Sequence, residues 1–114
     1  MSEVFVFGSN RQGRHGLGAA LEARKRWGAV YGIPEGRQGD SYAIVTKELR
    51  RSEPPVSLLE VKLGIARFLR YAENHPSVTF HLTKVGCGLA GFNEDLIAPL
   101  FKDAPRNVIR PKGW

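Results

Sequence analysis

Val4-Phe5-Val6-Phe7-Gly8 is a run of four apolar residues closed by a glycine, and its reading decides the fold. A continuous apolar run suits a strand covered on both faces, and such strands belong to parallel sheets flanked by helices. Outward from this first strand, over 4–8, Leu17, Ala20, Leu21 and Trp27 fall near one face of a helix predicted from Gly16 to Trp27. Arg24, Lys25 and Arg26 crowd its last turn, where cations suit the helix dipole, and Gly28 is a natural stop. Residues 32–40 read as loop and 41–46 as a second strand, which puts Lys47 at that strand's C-terminal end.

Pro54-Pro55 breaks the chain, and Ser57-Leu58-Leu59-Glu60 then matches a capping box. Leu58, Val61, Ile65, Phe68 and Ala72 continue at helical spacing until Asn74-His75-Pro76. Over 78–85, Val78, Phe80 and Leu82 alternate with Thr79, His81 and Thr83, as in a half-buried strand. His81, with no partner near it in sequence, is expected to fill a packing role. Asn93 caps a short helix that Pro99 should kink or end, and Asn107 to Ile109 form a last strand. The order of strands and helices predicts an α/β fold, a compact three-layer α/β/α domain over 1–114 with a mostly parallel mixed sheet. Ligands of such sheets gather at the C-terminal ends of the strands.

Composition narrows the partners. The 114 residues suffice for one core, and 42% hydrophobic with 25% charged residues is the balance of a folded chain without low-complexity segments. No stretch is long and apolar enough for a membrane span, and Met1-Ser2-Glu3 lacks the basic start of a signal peptide, so no membrane partner and a cytoplasmic location are expected. One cysteine and three scattered histidines offer no metal-ligand spacing, so neither metal nor cofactor is called for. The formal charge of +6 favours an anionic partner.

Two glycine-dense turns carry the chemistry. In Val85-Gly86-Cys87-Gly88-Leu89-Ala90-Gly91-Phe92 three glycines fall within six residues, and a ligand can approach such a main chain closely. The other turn runs from Gly8-Ser9-Asn10 to Arg14-His15-Gly16-Leu17-Gly18 and also joins a strand to a helix. Exposed N–H groups at two such bends suit phosphates, hence a nucleotide-like ligand. Gly13-Arg14-His15-Gly16-Leu17-Gly18 departs from the dinucleotide spacing G-x-G-x-x-G, there is no P-loop, and Gly8-Ser9-Asn10 is not a nucleophile elbow. Cys87, between two glycines, reads as a small residue beneath a ligand in preference to a thiolate nucleophile.

Three blocks in order resemble a compact macro domain, closest to the branch of the terminal ADP-ribose glycohydrolase and the DNA ADP-ribosylglycohydrolase antitoxins. They are Gly8-Ser9-Asn10 with Gly16-Leu17-Gly18-Ala19-Ala20; Ile44-Val45-Thr46-Lys47 followed by the Ser57 helix; and Gly86-Cys87-Gly88-Leu89. The resemblance implies a site for ADP-ribose or an ADP-ribosylated substrate, with the loop from Gly86 through Cys87, Gly88, Leu89, Ala90 and Gly91 to Phe92 around the diphosphate and distal ribose. The turn from Asn10 through His15, Gly16, Leu17 and Gly18 would close the other side, with Gly8, Ser9 and Thr46 beneath. It assigns Lys47 to glycosidic cleavage at the distal ribose, as nucleophile or charge stabiliser, and Asn10 to orienting the sugar. Where the terminal ADP-ribose glycohydrolase carries an acid after Gly-Cys-Gly-Leu, this chain has Ala90, so a lysine-plus-aspartate mechanism is not implied. Two rival readings stay open: a non-catalytic binder that sequesters an ADP-ribose-derived signal, and a basic module binding nucleic acid. Weak DNA binding through Arg11, Arg14, Arg50, Arg51 and Arg110 is a further expectation.

Overall fold

The computed structural model describes residues 2–114. Its elements are β1 (Glu3–Asn10), α1 (Gly18–Arg26), β2 (Gly36–Gln38), β3 (Ser41–Lys47), α2 (Leu58–Glu73), β4 (Thr79–Leu82), α3 (Glu94–Ile97), a 3₁₀ turn (Ala98–Phe101) and β5 (Val108–Ile109). One five-stranded sheet has the order β2-β3-β1-β4-β5. β1 lies at its centre, parallel to β3 and β4; β5 is parallel to β4, and β2 alone is antiparallel, on β3. The apolar run thus sits where both faces are covered.

The two faces are covered differently. α2 lays Val61, Ile65, Phe68 and Ala72 on Val4, Val6, Tyr42 and Ile44, and Ile97 and Phe101 complete that layer. Phe68 is its hub, with ring centroids 5.0 Å from Tyr42 and 5.4 Å from Phe80. The capping box forms as expected: Glu60 N–H donates to Ser57 Oγ at 3.1 Å, and the Glu60 carboxylate accepts from Ser57 N–H at 3.2 Å. On the opposite face α1 contributes only the small Ala20 and Ala23, which meet Phe7 and Ala43. Side chains this short let the helix sit close to the strands, and Trp27 closes its end by stacking on Phe5 at 5.4 Å.

Several boundaries differ from the sequence reading. Residues 36–38, expected within a loop, form the edge strand β2, with Gly36 paired to Ala43 and Gln38 to Ser41. α1 begins at Gly18, not Gly16; Leu17 is its extended N-cap residue and is exposed, off the packed face. β4 ends at Leu82 instead of running to 85, because Val85 N–H turns back to the Thr83 carbonyl. His81 is not a packing residue: its Nε2 lies 2.7 Å from the Glu3 carboxylate across the β1–β4 pair, on the surface. The last strand is two residues, Val108–Ile109, and Asn107 instead braces the end of α2 with its side-chain amide.

Candidate functional site

The C-terminal ends of β1, β3 and β4 meet the two glycine turns around one cleft of about 440 Å³, a size suited to a small ligand. Gly8 at the end of β1 and Gly86 in the far turn are nearly in contact: a Cβ on Gly8 would lie 3.4 Å from Gly86 N and 3.2 Å from Thr46 Oγ1. Gly86 has φ +78°, and a Cβ there would press on the Phe92 ring at 3.3 Å. A side chain at Gly8 would crowd Thr46 and the far turn, and one at Gly86 would strain its own loop. Gly16 and Gly88, from opposite turns, line the same cleft, and a Cβ at either meets nothing within 4 Å.

β1 and β3 slip register between Ser9 and Asn10, so that Asn10 pairs with Lys47 and Thr46 is left over. Such bulges re-aim side chains. Thr46 Oγ1 donates to the Ser9 carbonyl at 3.2 Å, and Asn10 and Lys47 stand side by side on the cleft wall. Asn10 is nevertheless occupied. Its Nδ2 donates to the Arg14 carbonyl and its Oδ1 accepts from Arg14 N–H, both at 2.9 Å, so the amide ties down the turn that carries Arg14.

Backbone donors are abundant. Leu17 makes no side-chain cap, so among the described residues the N–H groups of Gly18, Ala19 and Ala20 open α1 without an acceptor, and all three residues line the cleft. In the glycine loop, Gly91 N–H closes on the Gly88 carbonyl and Phe92 N–H on the Gly86 carbonyl. Among the described residues, no protein acceptor takes the N–H groups of Gly88, Leu89 and Ala90, three residues that also line the cleft. Arg14, Lys47 and Lys84 add three cations, and no carboxylate side chain is part of the lining. Leu17, Leu49 and Leu89, all exposed, form an apolar mouth.

Of the residues singled out in the sequence, four lie outside this lining. Cys87 is half-buried behind the loop, where its Sγ lies 3.5 Å from the Val85 carbonyl and burial pushes the thiol pKa up. Gly91 and Phe92 shape the loop from behind. His15 is fully buried under the first turn, edge-on to Phe7 at 5.2 Å, with Nε2 3.3 Å from Ser9 Oγ and Nδ1 without a hydrogen-bond partner. Burial, then the charge of Arg24, lowers its pKa, and the Ile33 backbone offsets this only in part. Conversely, Arg14, Leu49, Thr83 and Lys84 line the cleft without belonging to the resemblance. Arg14 stands in the first glycine turn read from the sequence, and Lys84 could have been picked out as a lysine at the start of the second.

The architecture has solved counterparts. A macrodomain protein from Streptomyces coelicolor superposes with a TM-score of 0.60 at 17% identity, covering 98% of this chain and 89% of that one. The fold is macrodomain-like. Two proteins from Bacteroides thetaiotaomicron, one described as of unknown function, match with TM-scores of 0.64 and 0.62 at 17% and 18% identity, over 96% of this chain and 88% and 89% of theirs. At such identities the likeness carries the fold alone. No protein-family model matches the chain, and no curated protein sequence does. Among the described residues no helix is long and apolar enough to cross a membrane, and no three His, Cys, Asp or Glu side chains gather as metal ligands.

Proposed function

We propose that the cleft binds ADP-ribose or an ADP-ribosyl group, with the diphosphate between the start of α1 and the loop 86–92. One observation carries the reading: two runs of residues that line one cleft, 18–20 and 88–90, have backbone N–H groups without a protein acceptor among the described residues, and the lining holds three cations and no carboxylate. A helix N-terminus favours anions both through its free N–H groups and through its dipole. The apolar mouth of Leu17, Leu49 and Leu89 suits the flat faces of the attached rings. The macrodomain-like fold adds to the same reading.

Binding is the better supported half. For cleavage at the distal ribose the cleft offers no lining carboxylate as acid or base, so the step would fall to Lys47, either as an amine that bonds to the anomeric carbon as the bond to the leaving group breaks, that group taking a proton from water and water then hydrolysing the lysine adduct, or as an ammonium stabilising charge there. Asn10 would contribute by holding the turn, since both ends of its amide are bonded to residue 14. Calorimetric titration with ADP-ribose tests the reading directly. Saturable binding with a Kd below about 1 mM, a scale of about 4 kcal/mol, is expected. Absence of heat and of backbone chemical-shift changes at residues 16–20 and 86–90 would refute it.

A further inference from the structure

Lys84 lines the cleft from the turn that follows β4, on the opposite side of β1 from Lys47. β3 and β4 flank β1 in the sheet, so the two lysines bracket the Gly8–Asn10 end of the central strand. Lys84 also directly precedes the loop whose N–H groups at 88–90 lack acceptors. Its ammonium already has a partner: Nζ is 3.0 Å from Glu94 Oε1. Trp114 Nε1 donates to the same oxygen at 2.9 Å, while the Trp114 ring rests on Phe101 at 5.7 Å. Glu94 is therefore fixed from outside the cleft, whereas Lys84 is anchored only by its ion pair. The two side chains are 45% and 50% exposed, so water reaches the pair, and pairs of this kind contribute little. The diphosphate of an ADP-ribosyl group carries two negative charges and four non-bridging oxygens against a carboxylate's one and two, so it can take over the ammonium at small cost.

We infer that Lys84 is an anion-binding cation of the cleft, and that Glu94 is its resident counter-ion, exchanged for a ligand phosphate on binding. This rests on the ADP-ribosyl reading and deepens it by assigning the diphosphate to the Lys84 side of the cleft. Glu94 is a regulator of affinity here, because its charge opposes the ligand while its oxygen holds Trp114.

The test is calorimetric titration of the native chain, Lys84→Gln and Glu94→Gln with ADP-ribose and, separately, inorganic pyrophosphate, with thermal melts confirming that each variant folds. Glu94→Gln retains a carbonyl oxygen for Trp114 Nε1 while losing the charge. Lys84→Gln should weaken both ligands about tenfold, the scale of one charge-assisted hydrogen bond. Glu94→Gln should tighten both about two- to fivefold. A merely structural contact would make both variants weaker, so the opposite signs are the signature. Unchanged affinity in Lys84→Gln, or weaker binding in Glu94→Gln, overturns the inference even if ADP-ribose binds. The expected pattern with pyrophosphate but no ADP-ribose binding would uphold Lys84 and overturn the ADP-ribosyl reading. No binding of either ligand to the native chain overturns both.

Discussion

Gly88→Val separates the cleft from the fold. Gly88 has no positive φ, and a Cβ built on it meets nothing within 4 Å, so the branched side chain projects into open space in the unliganded protein. Stability should stay within about 0.5 kcal/mol of the native chain, as for an ordinary surface substitution. The same open space is where a diphosphate must come to reach the N–H groups of Gly88, Leu89 and Ala90. Losing one or two charge-assisted hydrogen bonds costs about 3 kcal/mol, or roughly a hundredfold in Kd. Gly86→Ala supplies the contrast. At φ +78° and 3.3 Å from the Phe92 ring, its new methyl group strains the loop itself, which should cost about 1–2 kcal/mol and lower Tm by several degrees. The assay pairs calorimetry with thermal melts for both variants. Gly88→Val binding ADP-ribose as tightly as the native chain would refute the placement of the diphosphate on this loop, and a large loss of Tm would refute the claim that the position is open.

If an ADP-ribosyl linkage is cleaved, Lys47→Ala should abolish turnover while changing ADP-ribose affinity less than about tenfold, measured by product release and calorimetry; full turnover would remove Lys47 from the chemistry. Asn10→Ala removes two hydrogen bonds that hold the turn at Arg14, so urea denaturation should show a loss of about 1–2 kcal/mol together with weaker ligand binding. Acidification should destabilise the fold in two windows. The folded-state pKa of His15 is depressed below 6.5, so between the two values the unfolded chain binds more protons and stability falls as pH drops below 6.5. Glu48, pulled down to about 2 chiefly by Arg50 N–H, contributes stability that is complete above the ordinary 4.5 and is lost as pH falls toward 2. Urea midpoints of the native chain and His15→Gln across pH 2–8 check this, because the variant should lack only the upper window.

The centre of the sheet was legible because its signals are local. A four-residue apolar run, a capping box and a turn at Gly28 each depend on neighbours in sequence. β2 was hidden for the opposite reason. Gly36-Arg37-Gln38 has no apolar pattern, and it becomes a strand only by pairing with β3, secured by Ser41 Oγ donating to the Gln38 carbonyl at 2.7 Å and by the Gln38 amide bridging Val30 and Ile33. His81 was misread because its partner, Glu3, lies 78 residues away and is brought close only by the parallel pairing of β1 with β4. The glycine turns announced the cleft, but Lys84 entered it through a strand that ended three residues early, and the bulge that aligns Asn10 with Lys47 leaves no mark on composition.

The acidic residues explain why the arginine that follows β1 adds no charge to the cleft. Arg11 follows Asn10 directly, yet its guanidinium turns away to Glu48 at 3.1 Å, Glu60 at 2.7 Å and the Pro54 carbonyl at 2.8 Å. The Glu48 side chain is only 2% exposed and also accepts from Gln12 and from Arg50 N–H. Arg11 N–H meanwhile donates to the Lys47 carbonyl at 3.0 Å. One arginine thus clamps the segment between β3 and α2 against the end of β1 and holds Lys47 at the cleft wall by its backbone. With its guanidinium engaged by two carboxylates, Arg11 would have to give up both ion pairs to contact a nucleic acid. Glu48 and Glu60 are not part of the cleft lining, so its potential is set by Arg14, Lys47 and Lys84, the last offset by Glu94. Arg11 is therefore a positioning residue: its loss would leave Glu48 and Glu60 without their guanidinium partner and loosen the strand end that holds Lys47, so ligand affinity should fall further than stability alone accounts for.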